Sequence, residues 1–288
     1  MRALAALAIA GMALAAAPLA ARAQDEVEAP HQSWSFAGIF GTFDRGSLQR
    51  GFQVYNEVCS NCHSMKLLHY RDLGPTGPGG GIGFSEPEVA AIAAQKQVED
   101  GPNDQGEMFR RPGKPQDSFV SPFPNVEAAR AANGGAAPPD LSVIVKARGR
   151  GLEYLWGEGG PDYVFGILTG FQSQPPAGFQ LTQGKYYNNI FPGHQISMPP
   201  PLADNTVTFQ DGTKATLSQQ AHDVATFLTW AAEPYMEDRK QTGAKVILFL
   251  LAMTGVLWAA KRRVWKDLDE GGPATTLRSR PEADIRSS

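Results

Sequence analysis

The 288-residue sequence holds two cysteines, five histidines and 42% hydrophobic residues, enough for one large domain or two ordinary ones and too few cysteines for a disulfide scaffold. Its 26 Lys and Arg against 29 Asp and Glu give a formal net charge of −3, which offers no electrostatic footprint for nucleic acid. The 31 glycines and 22 prolines point to long irregular connections.

The chain opens with Arg2, an apolar run over residues 3–20 and Ala21-Arg22-Ala23. That layout predicts a secretory signal peptide over residues 1–23, cleaved before Gln24. Its removal takes Arg2 and Arg22 away and leaves the mature chain more acidic. Residues 24–42 are an acidic and aromatic lead-in. Phe52, Val54, Tyr55 and Val58 then recur close to helical spacing, so a short helix is expected to run into Cys59-Ser60-Asn61-Cys62-His63.

In an exported chain, C-x-x-C-H is the attachment signature of a c-type haem. Two thiols add across the two vinyl groups of the porphyrin, and the adjacent histidine is carried beneath the iron. Cys59 and Cys62 are therefore expected as thioether sites and His63 as the first axial ligand. A thiol redox centre needs a thioredoxin-like strand and helix, and a zinc site needs two further ligands nearby; the sequence supplies neither context.

Residues 74–83 (GPTGPGGGIG) form a glycine-proline loop without the Lys-Ser/Thr of a phosphate loop. Residues 86–99 read as a helix with Ser85 as N-cap, Pro87 in its first turn and Gly101 beyond its end. Residues 101–124 read as a polar loop, followed by helices near 126–132 and 141–146. Residues 206–214 (TVTFQDGTK) have β-branched alternation around Asp211-Gly212 and read as a small hairpin. A helix capped at Ser218 should cover 218–231. Acids at Glu86, Glu88, Glu99, Asp100, Asp104 and Glu107 form a solvated face that also suits steering of a cationic partner.

Residues 246–260 carry no charge, and with Gly243, Ala244 and a snorkelling Lys245 the span 243–260 reaches about 18 residues, or about 27 Å. A single transmembrane helix is expected there, with Trp258 and Trp265 at an interface and Lys261-Arg262-Arg263 and Lys266 as the cytoplasmic flank. Arg239, Lys240 and Lys245 blunt that charge asymmetry, so orientation rests on the signal peptide. The expected division is signal peptide 1–23, periplasmic domain 24–239, membrane helix 243–260 and cytoplasmic tail 261–288, the tail disordered.

A second axial ligand has to come from Met65, Met108, Met198, Met236, His69, His194 or His222. Met65 and His69 are too near His63 in sequence to reach the opposite face, and Met236 lies just before the membrane helix. Met198 stands in Ile196-Ser197-Met198-Pro199-Pro200-Pro201, where the prolines stiffen an extended segment able to hold a thioether at a fixed distance. Met198 is favoured and His194 is second. His/Met ligation raises the potential and closes the iron to small ligands, which suits electron transfer.

The stretches over residues 50–63 (R-G-x-Q-V-Y-x-x-V-C-x-x-C-H), 124–142 (P-N-x-x-A-A-R-x-A-N-G-G-A-x-P-P-D-L-S), 162–170 (D-Y-V-F-x-x-L-T-G), 191–199 (F-P-G-x-x-I-x-M-P) and 223–234 (D-V-x-x-F-L-x-W-A-A-E-P) resemble the cytochrome c1 family of the bacterial type. The resemblance implies a class I cytochrome c-like haem domain, mainly α with long irregular loops and a small β-hairpin, plus one C-terminal transmembrane helix. It implies one haem c on Cys59 and Cys62, axial ligands His63 and Met198, and a propionate-facing arginine and tyrosine at Arg148 and Tyr163. It also implies a non-autonomous subunit of the proton-translocating quinol:cytochrome c oxidoreductase, dimeric, with cytochrome b and the Rieske iron-sulfur protein as partners and a cytochrome c as acceptor. The site would be the periplasmic side of the bacterial inner membrane. Two features depart from the family: no cysteine remains for the extra disulfide thought to brace the methionine-bearing region of many bacterial members, and residues 149–161 look like an insertion. Rival readings are a stand-alone membrane-anchored electron carrier and a haem peroxidase.

Overall fold

Among the described residues the helices are, in chain order, α1 (Arg45–Glu57), α2 (Glu86–Ala94), α3 (Val126–Ala132), α4 (Ile144–Arg148), α5 (Gly160–Thr169), α6 (Leu217–Ala232) and α7 (Met236–Asp269). Two antiparallel ribbons complete them: β1 (Gln97–Asp100) with β2 (Phe109–Pro112), and β3 (Tyr186–Tyr187) with β4 (Gln195–Ile196). The structure is a computed structural model that describes residues 27, 29–149 and 159–269. The expected signal peptide, most of the 149–161 insertion and the tail from residue 270 lie outside the described residues. The chain divides into two units, Met1–Asp238 and Arg239–Ser288.

Helix α1 starts where the Asp44 carboxylate accepts the Ser47 N–H (2.6 Å), an N-cap bond. Its buried Leu48, Gly51, Phe52 and Tyr55 follow helical spacing and face α6, which is buried at nearly every position from Gln220 onward. The backbones meet at Gly51, where a Cβ would stand 2.0 Å from the Asp223 carbonyl oxygen. The Phe52 ring lies 5.6 Å from Phe227 and 6.2 Å from Phe119, so an aromatic cluster fills the crossing. Helices α4 and α5 pack on one another and on α6.

The fold class expected from the sequence holds, a mainly helical chain with a small hairpin sheet, but the hairpin is elsewhere. Residues 206–214 form no strand. Val207 and Phe209 are buried in alternation, yet the segment lies along α1: the Thr208 carbonyl accepts from Gln53 Nε2 (3.0 Å) and Asp211 pairs with Arg50 (2.7 Å). Side-chain partners on α1 replace the missing strand. The observed hairpin uses residues that read as helix and loop. Helix α2 keeps the predicted Ser85 cap, with Glu88 accepting from the Ser85 N–H (2.8 Å) and hydroxyl (2.7 Å), but ends at Ala94. Residues 97–100 then pair with 109–112, held by Arg111 on β2, which bonds Asp100 and Asp117. The Arg111 guanidinium holds the Asp117 carboxyl down at about 2. Tertiary pairing here outweighs helical propensity.

Two boundaries also shift. The helix expected near 141–146 begins at Ile144, because side-chain bonds from Asp140 and Ser142 hold the preceding residues as a turn. Helix α6 is capped by Thr216, not Ser218: its hydroxyl accepts from the Gln219 N–H (3.2 Å). Within α7, Met236–Lys266 is long and apolar enough to cross a membrane, and none of that apolar window is buried. Lys261 lies over the Trp265 ring (5.2 Å) and Arg262 over Trp258 (5.0 Å), pairing the cationic flank with the two tryptophans.

Candidate functional site

The C-x-x-C-H motif begins one residue after α1 ends, and its two intervening residues close the helix. Ser60 donates to the Asn56 carbonyl (2.8 Å) and Asn61 Nδ2 to that of Glu57 (3.0 Å), taking carbonyls left open at the helix end. Cys59–Asn61 is a 3₁₀ turn, and the Cys59 carbonyl accepts from both the Cys62 and His63 N–H groups (3.1 and 2.9 Å). The two thiols are therefore carried on one tight turn. Both are free, Cys59 partly buried and Cys62 exposed. Desolvation pushes the Cys59 thiol up to about 12, whereas a redox-active or metal-binding thiolate is favoured by a depressed value. Among the described residues no group of three or more His, Cys, Asp or Glu converges on a metal position.

His63 Nδ1 lies 2.8 Å from the Pro139 carbonyl oxygen. A carbonyl only accepts, so Nδ1 carries the proton and Nε2 presents its lone pair. Burial pushes the His63 imidazole below its ordinary value, with the Pro139 bond opposing it, so the neutral, ligating form is favoured. This donor set fits a covalently held haem: two uncommitted thiols three positions apart and a neutral imidazole of fixed tautomer directly after them.

Residues 139–142 are the contribution that sequence reasoning missed. The Asp140 carboxylate accepts from the Ser64 hydroxyl (2.7 Å), the Lys66 N–H (3.0 Å) and the Ser142 N–H (2.9 Å), and the Leu141 N–H donates to the Ser64 carbonyl (2.8 Å). Burial pushes Asp140 up, but those bonds outweigh it and its carboxyl lies below the ordinary value. The only signal in the sequence was Pro-Pro-Asp-Leu-Ser, quoted for the resemblance and given no role.

Arg148 and Tyr163, 15 residues apart, come together: the Arg148 guanidinium carbon stands 5.6 Å over the Tyr163 ring. Arg148 is exposed at the end of α4, and Tyr163 is half-buried in the first turn of α5. Met198 is half-buried two residues beyond β4. The chain leading to it is organised by Asn188, wholly buried, which accepts from the Ile190 and Phe191 N–H groups (3.0 and 3.1 Å) and donates to the Ile167 carbonyl (2.8 Å). His194 is engaged in the same turn: its ring stacks on Tyr187 (5.6 Å) and its Nδ1 lies 3.1 Å from the Asn188 carbonyl. Of the other ligand candidates, Met65 is buried in the core, Met236 is buried at the start of α7 and Met108 is exposed. His222 stacks on Trp34 (4.6 Å), and His69 caps the short turn before Leu73.

The sequence profile of the Cytochrome C1 family matches residues 34–268. The chain is 46% identical over 278 residues to a protein named cytochrome c1 from Rhodospirillum rubrum, covering 91% of this chain and 97% of that one. A protein named cytochrome b/c1 from Bradyrhizobium diazoefficiens is 51% identical over 247 residues, 83% of this chain, which spans only 36% of that longer protein. The mitochondrial cytochrome b-c1 complex catalytic subunit of Candida albicans is 44% identical over 243 residues, 84% of this chain and 79% of that one.

Proposed function

The chain belongs to the cytochrome c1 family, and from that premise we propose that it is the electron-transfer haem subunit of a membrane-bound quinol:cytochrome c oxidoreductase. Its cofactor is one covalently bound haem c, which supplies one-electron Fe(III)/Fe(II) cycling when bound. The observation that carries the reading is the pair of free thiols on one turn, followed by an imidazole whose Nδ1 is already committed to Pro139.

Cys59 and Cys62 would fix the group covalently, and His63 would offer Nε2 to the iron. Met198 would be the second side chain to hold the iron, a reading supported by its partly buried place after β4 and by the structural engagement of His194. Arg148, braced on Tyr163, meets the propionate charge. No acid-base or nucleophilic residue is required, because the protein supplies binding, potential and a route. The Rieske iron-sulfur protein is the donor, a soluble or tethered cytochrome c the acceptor, and cytochrome b the membrane partner within a dimeric, proton-translocating complex. The haem domain faces the periplasm of the bacterial inner membrane, with α7 as a single-pass anchor and the C-terminus cytoplasmic.

A reduced-minus-oxidised spectrum and redox titration of the wild type beside Met198→Leu test the ligand set. A c-type spectrum and a large fall in potential in the variant are expected; an unchanged potential would move the sixth ligand to His194. Ready carbon monoxide binding by the reduced wild type at neutral pH would sink the carrier reading, and purification without a b-type haem subunit would favour a stand-alone carrier.

A further inference from the structure

The segment that meets His63 is fastened to the turn after it by more bonds than placing one carbonyl requires. The His63 Nδ1 proton is given to Pro139 O (2.8 Å). Immediately beside it, Asp140 uses both carboxylate oxygens: one accepts from the Ser64 hydroxyl and the Lys66 N–H, the other from the Ser142 N–H. Ser142 in turn accepts the Leu67 N–H through its hydroxyl (3.1 Å), and the Leu141 N–H returns to the Ser64 carbonyl. Residues 64–67 and 139–142 are thus closed on one another, and Asp140 is the group common to both sides.

We infer that Asp140 is the positioning residue of the haem site: by locking the 139–142 segment onto the turn that follows His63, it sets the orientation of the imidazole and the strength of its bond to Pro139. The inference rests on the haem reading above. Both consequences of losing Asp140 have the same sign. A looser Pro139 carbonyl draws less on the Nδ1 proton, making His63 a weaker donor to iron, and removal of a nearby negative charge disfavours the ferric state. Both raise the potential.

The test uses the full chain in its membrane complex. For Asp140→Ala, the equilibrium should shift towards the reduced form by about tenfold, or about 59 mV for a one-electron couple, with a displaced gmax in the ferric low-spin EPR spectrum. Asp140→Asn keeps an acceptor oxygen without the charge, so it should shift the potential in the same direction by less and leave gmax nearer wild type. A residue that merely stabilises the fold would lower haem content while leaving potential and gmax of the remaining haem at wild-type values, and that result overturns the inference. Should Asp140→Ala yield no holoprotein, Ser64→Ala, which removes one of the three donors, decides: a smaller shift of the same sign supports the role and an unchanged potential overturns it. A wild-type protein lacking a c-type pyridine haemochrome would overturn the haem reading itself, a result separable from either.

Discussion

Asp223 on α6 has no exposed surface, yet it is ionised: Arg50 donates to it from Nε (2.7 Å) and Nη2 (3.2 Å), and Gln219 from Nε2 (3.0 Å). Burial pushes its carboxyl up, the surrounding bonds outweigh this, and its value in the fold lies below the ordinary one. The unfolded chain therefore holds the proton more tightly, so the pair stabilises fully above the unfolded value, near pH 3.9, and loses that contribution as pH falls through the lower folded value. Asp223→Ala, which leaves Arg50 with Asp211 and Ser47 as its side-chain partners, should cost about 1–3 kcal/mol at pH 7, and denaturant titrations should show the deficit shrinking below about pH 4. A deficit independent of pH would assign the loss to packing. At this scale, legibility followed covalent chemistry. Cys59, Cys62 and His63 could be singled out because the proposed thioether attachment dictates such a spacing, and the structure carries both free thiols on one tight turn. Asp140 and Pro139 were not, because their bonds reach across about 75 residues to backbone and hydroxyl groups that any sequence supplies. Arg148 and Tyr163 were nameable only through family resemblance; their contact is a product of the fold.

Among the elements, the crossing of α1 and α6 leaves the least room for change. A methyl group at Gly51 would stand 2.0 Å from backbone oxygen and 2.8 Å from the Phe227 Cβ, and neither can swing aside. Gly51→Ala should lower stability by at least the roughly 1–3 kcal/mol typical of overpacking, read as a lower melting temperature of the holoprotein; an unchanged melt would mean the helices separate freely. The ribbon before Met198 relies on Asn188 where no cysteine remains for a disulfide. Asn188→Ala leaves the buried Ile190 and half-buried Phe191 N–H groups without this acceptor, at a cost of about 1–3 kcal/mol, and with Met198 on the iron, as proposed, should blur the methionine–iron charge-transfer band before the haem is lost. The helices at both ends of the haem domain were legible because amphipathic spacing is local, although the cap of α6 lies at Thr216 rather than Ser218. The hairpins were not: residues 97–99 read as the end of a helix until Arg111 and Asp117 close the ribbon, and residues 206–214 read as a hairpin until Arg50 and Gln53 take its polar groups.

Across the whole molecule, neither cysteine forms a disulfide; with both committed to one haem, as proposed, the loop-rich fold would have no disulfide brace and would lean on packing around that group. Cys59→Ala with Cys62→Ala should give a chain that is degraded or insoluble, checked by its yield in the exported fraction; a stable, soluble apo domain would contradict this. Of the six acids in residues 86–107, Glu88 caps α2 and Asp100 is paired with Arg111, while Glu86, Glu99, Asp104 and Glu107 are exposed. Neutralising these four should slow reduction of a cationic cytochrome c at low salt, the difference fading as the Debye length shrinks to about 8 Å near physiological salt. The root of the anchor adds a mechanical property. Glu237 accepts from the Phe43 N–H (2.6 Å) and the Arg45 guanidinium (2.8 Å), and Arg45 also donates to the Gly81 carbonyl (3.0 Å). A pull transmitted along the chain to residue 237 is therefore delivered to the first turn of α1, the helix that leads into Cys59, and to the glycine loop beside it.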